Sequence, residues 1–202
     1  ASTQWNNTAN EARLELAHTD LLGSKGILGA QIISSSLNAT DLSTNSYAIV
    51  PQTKSNSSAL FLVEEGRYGP LKTSLGARYN YATQNPNSAT QFPSASSQDF
   101  VPTSYGAPTL KSRQFNLMSY SAGGLFEVAK GYGLGLAYTV SQRAPSAQEL
   151  YSYGPHDSTA TFDIGNSNLG IETSHNLELS FQKTLGLFRS KASIYKNQFN
   201  NF

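Results

Sequence analysis

The chain has 202 residues, only 13% of them charged, and a formal net charge of +1; it could be one domain of ordinary size or a large piece of a bigger one, and with no basic stripe to neutralise phosphates nucleic acid is excluded as a partner. Hydrophobic residues make up 38%, and no run of about 18 apolar residues exists, so neither a transmembrane helix nor a signal peptide is expected. The absence of cysteine excludes a disulfide scaffold, a thiolate zinc site and a cysteine nucleophile, while 11 Tyr and 10 Phe against one Trp and one Met suit long β-strands better than a helical bundle.

In chain order, the first alternation sets Ala12, Leu14 and Leu16 against Glu11, Arg13 and Glu15. Residues 27–35 and 57–65 follow as noisier strand candidates. Residues 71–81 are the cleanest: Leu71, Thr73, Leu75, Ala77, Tyr79 and Tyr81 share one face, and Lys72, Ser74, Gly76, Arg78 and Asn80 the other. A period of two sustained over about 11 residues is a strand long enough, when tilted, to cross a bilayer core. Residues 115–128 are again noisier. Tyr132, Leu134, Leu136, Tyr138 and Val140 then alternate with small residues, and Leu177, Leu179 and Phe181 alternate with Glu178, Ser180 and Gln182. Residues 191–199 close the series, which makes roughly eight strands by one template.

The connections carry a second pattern. Residues 19–25, 66–70, 129–131 and 184–190 are short; residues 36–56, 83–112 and 143–174 are long and rich in Ser, Asn, Gln, Pro and Gly. Short and long alternate strictly, so an antiparallel meander places every short turn on one side and every long loop on the other. That sorting predicts an all-β fold: an antiparallel transmembrane β-barrel meander, about eight strands of a larger barrel, with short periplasmic turns and long extracellular loops. A soluble β-sandwich with Tyr79, Tyr81 and Tyr138 in its core has no reason to sort its loops this way.

Two stretches carry a resemblance. Ser141-Gln142-Arg143-Ala144-Pro145-Ser146-Ala147-Gln148-Glu149-Leu150-Tyr151 is followed by Gly165-Asn166-Ser167-Asn168-Leu169-Gly170-Ile171-Glu172-Thr173-Ser174 and then Glu178. Together, over about 40 residues, they resemble the motif of TonB-dependent receptor barrels, written Arg-Ala-Pro-Ser, Glu-Leu-Tyr and Gly-Asn-Pro-x-Leu-x-Pro-Glu-x-Ser. The motif residues here are Arg143, Pro145, Glu149, Leu150, Tyr151, Gly165, Asn166 and Glu172. Ser167 and Ile171 stand where the family has prolines, which implies a less rigid loop. Residues 10–16 and 149–156 look most like the zinc-uptake receptors of Gram-negative bacteria. The resemblance implies a barrel of about 22 strands with an N-terminal plug that contacts TonB. Residues 1–202 are then a partial barrel domain without plug or C-terminal strands, and the polar same-face residues Lys196, Gln198 and Asn200 fit a chain that stops mid-barrel.

Of three histidines, His156 lies in a long loop beside Asp157, with Glu149 and Asp163 nearby in sequence. Imidazole and carboxylate oxygen suit Zn²⁺, though two residues are not a full shell, and a solvated loop histidine is the plainer account. His175 falls in the general family stretch, where a structural role is expected, and His18 near a short turn reads as a periplasmic-interface residue. Arg143 and Glu149 flank Pro145 and are placed to pair. Glu11, Arg13, Glu15, Lys72, Arg78, Glu178 and Gln182 form an inward polar row. No Gly-x-Ser-x-Gly elbow or His-Glu-x-x-His helix is present, so no catalytic residue and no enzyme is expected. The expected function is TonB-dependent uptake of a metal ion or metal complex across the bacterial outer membrane. Zinc is favoured, with haem and ferric siderophores as other ligands; outer-membrane lipid and, through the missing plug, the TonB system are the partners, and there is no bound cofactor. The alternative is a small self-contained outer-membrane barrel serving as an adhesin or structural module.

Overall fold

The computed structural model describes residues 3–21, 23–42, 46–90, 92, 106–156 and 161–201. Eight long strands, β1 (Thr3–Leu21), β2 (Ser24–Asp41), β4 (Thr53–Tyr68), β5 (Leu71–Pro86), β6 (Arg113–Ala129), β7 (Tyr132–Arg143), β10 (Glu172–Lys183) and β11 (Ser190–Asn200), pair antiparallel with their chain neighbours in one continuous meander. A two-residue strand, β3 (Ser46–Tyr47), adds to β2, and a small hairpin of β8 (Tyr153–His156) and β9 (Thr161–Ile164) stands apart from the sheet. One helical turn, α1 (Ala147–Tyr151), precedes that hairpin. Each short connection contains a glycine at positive φ, namely Gly23, Gly69, Gly131 and Gly186, a conformation that a side chain would strain.

The strands run further than the alternation predicts. β2 reaches Asp41 and β1 begins at Thr3, and the two stay in register out to Thr3 opposite Asp41. Apolar alternation marks only the stretch in contact with lipid; beyond it Ser34, Ser36 and Asn38 stand where Leu28 and Ile32 stood lower down, and the backbone ladder continues with polar side chains on the convex face. Ser34, for example, donates to Asn56 Oδ1 on the next strand at 2.8 Å.

Register fixes the two faces. Leu60, Tyr79 and Met118 lie side by side across β4, β5 and β6, and Leu136 and Leu179 across β7 and β10, all on the convex side. Leu75 (52% exposed), Leu136 (57%) and Phe181 (41%) are open to the surroundings rather than enclosed in a core. In water so many exposed leucines would be a large loss; in hydrocarbon they are the preferred surface. The opposite face is concave, and residues from Lys25 of β2 round to Lys191 of β11 line a shared hollow of about 1000 Å³. Glu11, Arg13, Glu15, Lys72, Arg78, Glu178 and Gln182 all alternate onto this side. Midway up it, the Phe61 ring lies flat over Gly29, where any side chain would collide with it, and the guanidinium carbons of Arg13 and Arg78 stand 4.4 and 5.8 Å from its centroid. Two cation–π contacts therefore hold the one large aromatic ring of this part of the wall in place.

His18 lies on the convex face close to a short turn. Its neighbour on β2 is Gly26, which leaves a gap, and across that gap His18 Nε2 meets Glu64 Oε1 at 2.7 Å while Ser24 donates to the other carboxylate oxygen at 2.9 Å. The group joins three strands where the apolar belt ends.

The partition predicts an asymmetric response to charge. Leu136→Arg should destabilise the barrel by about 2–4 kcal/mol, the cost of an arginine near the bilayer midplane, whereas Ser74→Lys on the concave face, opposite Glu65, should change it far less. Urea midpoints for unfolding from lipid vesicles check this; equal shifts for the two variants would contradict the assignment of faces.

Candidate functional site

The long connection from β7 to β10 is organised by its own sequence before it meets the rest of the chain. Ser146-Ala147-Gln148-Glu149 is a capping box: the Glu149 N–H donates to Ser146 Oγ at 3.3 Å, and the Ser146 N–H donates to the Glu149 carboxylate at 2.7 Å. This starts α1 directly after Pro145 and sets Leu150 and Tyr151 on one side of the turn. Both are completely buried, against Ala39, Ala82, Phe115 and Leu117. Those four belong to the concave face of β2, β5 and β6, so the loop folds inward over the wall rather than away from it. Removing each of the two side chains from water contributes about 2 kcal/mol to holding it there.

Tyr151 adds a polar anchor. Its hydroxyl donates to the carbonyl of Lys111 at 2.8 Å, and burial pushes its pKa up to about 12, so it remains a donor. The Gln84 side chain donates to the Pro145 carbonyl at 3.2 Å. The connection expected to begin at Thr83 therefore departs from the sequence expectation: β5 continues to Pro86, and both margins of the loop are tied to α1.

Arg143, the last residue of β7, makes the expected pair with Glu149, a two-pronged contact at 2.9 Å for each bond. It also binds Glu172, the first residue of β10, at 2.5 Å. One guanidinium thus joins the end of one strand, the intervening helix and the start of the next. The hydrogen bonds from Arg143 hold the Glu149 carboxyl down at about 2, with those from Ser146 adding to the effect, and the two carboxylates raise the Arg143 pKa in turn.

The second half of the motif closes on the first. The Gly165 N–H donates to the Ser152 carbonyl at 2.6 Å and the Asn166 N–H to the Glu149 carbonyl at 2.8 Å. A Cβ on Gly165 would lie 2.7 Å from backbone atoms of Leu150, Tyr151 and Ser152, so only glycine allows this approach. The Asn166 side chain caps its own turn by accepting from the Asn168 N–H at 3.0 Å. All eight motif residues therefore meet in one knot. Ser167, which replaces a proline of the motif, is buried, and Arg113 donates to its carbonyl and, at 2.9 Å, to that of Leu169; Ile171 packs against the buried cluster. Arg113 was not singled out by the sequence, and nothing local marks it. The capping box could have revealed α1.

Beyond α1 the chain enters the β8–β9 hairpin. The Tyr153 N–H donates to the Ile49 carbonyl at 2.8 Å, and Gly154 sits so close to Ala48 that a Cβ would lie 2.6 Å from the Ala48 carbonyl oxygen. The Tyr153 ring meets Phe162 and Phe92 edge-on, with centroids 5.0 and 5.2 Å away. The base of the hairpin is thus fastened to two other loops. His156 is the last residue of β8, paired with Thr161, and Asp157 lies outside the described residues. Glu149 is held by Arg143, and Asp163 is paired with Gly154 near the hairpin base. Among the described residues no three His, Asp or Glu side chains converge as a metal shell. His175 stands on the convex face, stacked on Tyr138. His18 contacts Glu64, and Ser24 bonds that carboxylate rather than the imidazole, so these residues form no serine–histidine couple.

The knot should loosen in acid. A carboxyl whose folded pKa is depressed contributes stability that is complete above its unfolded value, near 4.5, and disappears as pH falls toward about 2. Because Arg143 and Glu149 are both well exposed, the contribution is on the order of 1 kcal/mol or less. Relative to the intrinsic exchange rate at each pH, protection of the Gly165 and Asn166 amides should fall across that interval in the native chain, and Glu149→Gln should remove that fall. Gly165→Ala should accelerate the same amides at every pH.

Solved structures share this architecture. One match is a structure described as the copper transporter OprC, with a TM-score of 0.72 at 15% identity over 99% of this chain and 31% of that one. Another is a double mutant of the Serratia marcescens hemophore receptor HasR in complex with its hemophore HasA and heme, with a TM-score of 0.69 at 15% identity over 99% of this chain and 34% of that one. The chain spans about a third of the length of each, and at that identity the likeness is one of fold. The family profile described as "TonB dependent receptor-like, beta-barrel" matches residues 1–202, and the chain belongs to that family.

Proposed function

We propose that the chain is part of the wall and external loops of an outer-membrane uptake receptor that imports a metal ion or metal complex. The observation that carries this reading is the combination of a wall that is apolar outside and polar inside with a long-loop rim folded inward over the concave face. An open pore needs no such inward knot, and an adhesin would present its loops outward. In the receptor reading the short turns face the periplasm, the polar row meets a plug domain, and the TonB system acts through that plug. Family membership supports those roles, and all of them depend on segments other than residues 1–202.

The knot gives the ligand region a rigid base. Arg143, Glu149, Leu150, Tyr151, Gly165 and Asn166 serve architecture, which leaves the β8–β9 hairpin to meet the cargo. Our favoured cargo is zinc, with His156 and Asp157 as two of its ligands and the remainder drawn from other loops or the plug. A copper transporter and a hemophore receptor share the fold, which is consistent with copper or haem as rival cargoes.

Zinc binding to the full-length receptor, titrated against copper and haem, is the test. His156→Ala and Asp157→Asn should each weaken zinc binding about tenfold or more, the scale of losing one metal ligand or its support. Unchanged zinc affinity in both variants would end the zinc-ligand assignment. Failure of the receptor to support growth on any of the three cargoes would end the uptake assignment.

A further inference from the structure

The β8–β9 hairpin leaves and rejoins the knot by two legs, and each leg is held from a different strand of the wall. The outgoing leg is fixed where the Tyr153 N–H meets the Ile49 carbonyl at 2.8 Å; the Ala48 N–H in turn donates to the carbonyl of Ala39 on β2 at 3.1 Å. The returning leg runs from Ile164, the end of β9, through Gly165 into a turn at residues 166–169. There the Leu169 N–H donates to the Asn166 carbonyl at 3.2 Å, which makes Ser167 the second residue of a β-turn. No residue of that turn has a positive φ, as a type I turn requires, and its second position is the one that suits the fixed φ of proline.

Ser167 carries no such restraint. Neither its N–H nor its hydroxyl makes a hydrogen bond among the described residues, so within the turn only the Asn166 contacts hold its shape. A further restraint comes from outside. Arg113, the first residue of β6, donates from one guanidinium nitrogen to the Ser167 carbonyl and from the other, at 2.9 Å, to that of Leu169. Its guanidinium carbon lies 5.2 Å from the centroid of Phe115, which is buried in the same cluster as Leu150 and Tyr151. One planar fork therefore spans the turn and is itself seated on the floor of the knot. A lysine would keep the charge but not the fixed fork.

We propose that Arg113 is the positioning residue of the returning leg: it does by hydrogen bonds what a proline at 167 would do by its ring, and so fixes the hairpin that carries His156. β9 pairs with β8 from Ile164 opposite Tyr153 to Thr161 opposite His156, so a shift of the turn moves Thr161 and His156 together. The consequence for zinc rests on the cargo reading above. The placement of the hairpin does not.

Two spin labels on the full-length receptor, at Lys54→Cys on β4 and Thr161→Cys on β9, read the position of the hairpin without cargo; both residues are exposed. Residues 1–202 hold no native cysteine, and any elsewhere in the receptor is replaced by serine. With Arg113 in place the distance distribution should be single and narrow. Arg113→Gln should broaden it and, in unlabelled receptor, weaken zinc binding about tenfold, the scale for losing an outer support of a metal site. Adding Ser167→Pro to Arg113→Gln should restore both the width and the affinity. A width unchanged by Arg113→Gln, or a broadening that Ser167→Pro leaves in place, would overturn the proposal. If Arg113→Gln fails to insert, as scored by heat-modifiable gel mobility, Arg113→Lys takes its place, with the same broadening and the same rescue expected. A width that responds while zinc binding is absent or indifferent upholds the placement of the hairpin by Arg113 and counts against His156 as a zinc ligand.

Discussion

The backbone hydrogen bond between neighbouring strands is the constraint on which the rest depends. In hydrocarbon an unpaired N–H or C=O costs several kcal/mol; no helix among the described residues is long and apolar enough to cross, and strands can cross only where every polar backbone group is paired. Once the strands are paired, side chains project alternately to the two faces, and one face meets lipid while the other meets water. The leucine and tyrosine rows and the charged inner row are thus consequences of one geometry. So is the run of glycines and serines on the concave side of β7 and β10, where Gly135 lies against Ser180 and a bulkier pair would not fit.

The long-loop rim solves a different problem. A loop of this length loses much conformational entropy when it is ordered, and the inward connection between β7 and β10 recovers it with two buried side chains, one triply shared arginine and a glycine that lets backbones touch. The resulting platform is rigid where it joins the wall and carries only a short hairpin beyond. Loops that bind ligand are commonly set on such scaffolds, because precision in the base lets variation at the tip change the ligand without disturbing the fold. The copper transporter and the hemophore receptor share this fold at 15% identity to this chain.

The outer surface shows a further consequence of strand tilt. A row of directly paired residues does not run level with the membrane: Glu64 lies near the short turn of β4, while Lys196, in the same row, stands well up β11. His18 and Glu64 therefore close the apolar belt at the short-turn edge, and His175 and Lys196 at the long-loop edge. Both are places where a polar side chain can reach headgroups or water, so neither interrupts the hydrocarbon-facing band.

Much of the wall was legible in the amino-acid order. Alternation at residues 71–81 and around Leu136 is a local property that survives in any partner's company, since period two is intrinsic to a strand, and the sorting of short and long connections determined which ends lie together. The Arg143–Glu149 pair was legible for a similar reason, because both residues sit within one turn of a proline-defined bend. What the order of residues did not contain was the direction in which the long loop folds, the clamp of Arg113 on Ser167 and Leu169, the second bond of Arg143 to Glu172, or the meeting of His175 with Lys196. Each joins residues separated by a strand or more, and its existence depends on register and curvature, which are set by the whole sheet. Composition and periodicity decided that this is a membrane wall; only the packed sheet decided what stands at its two rims.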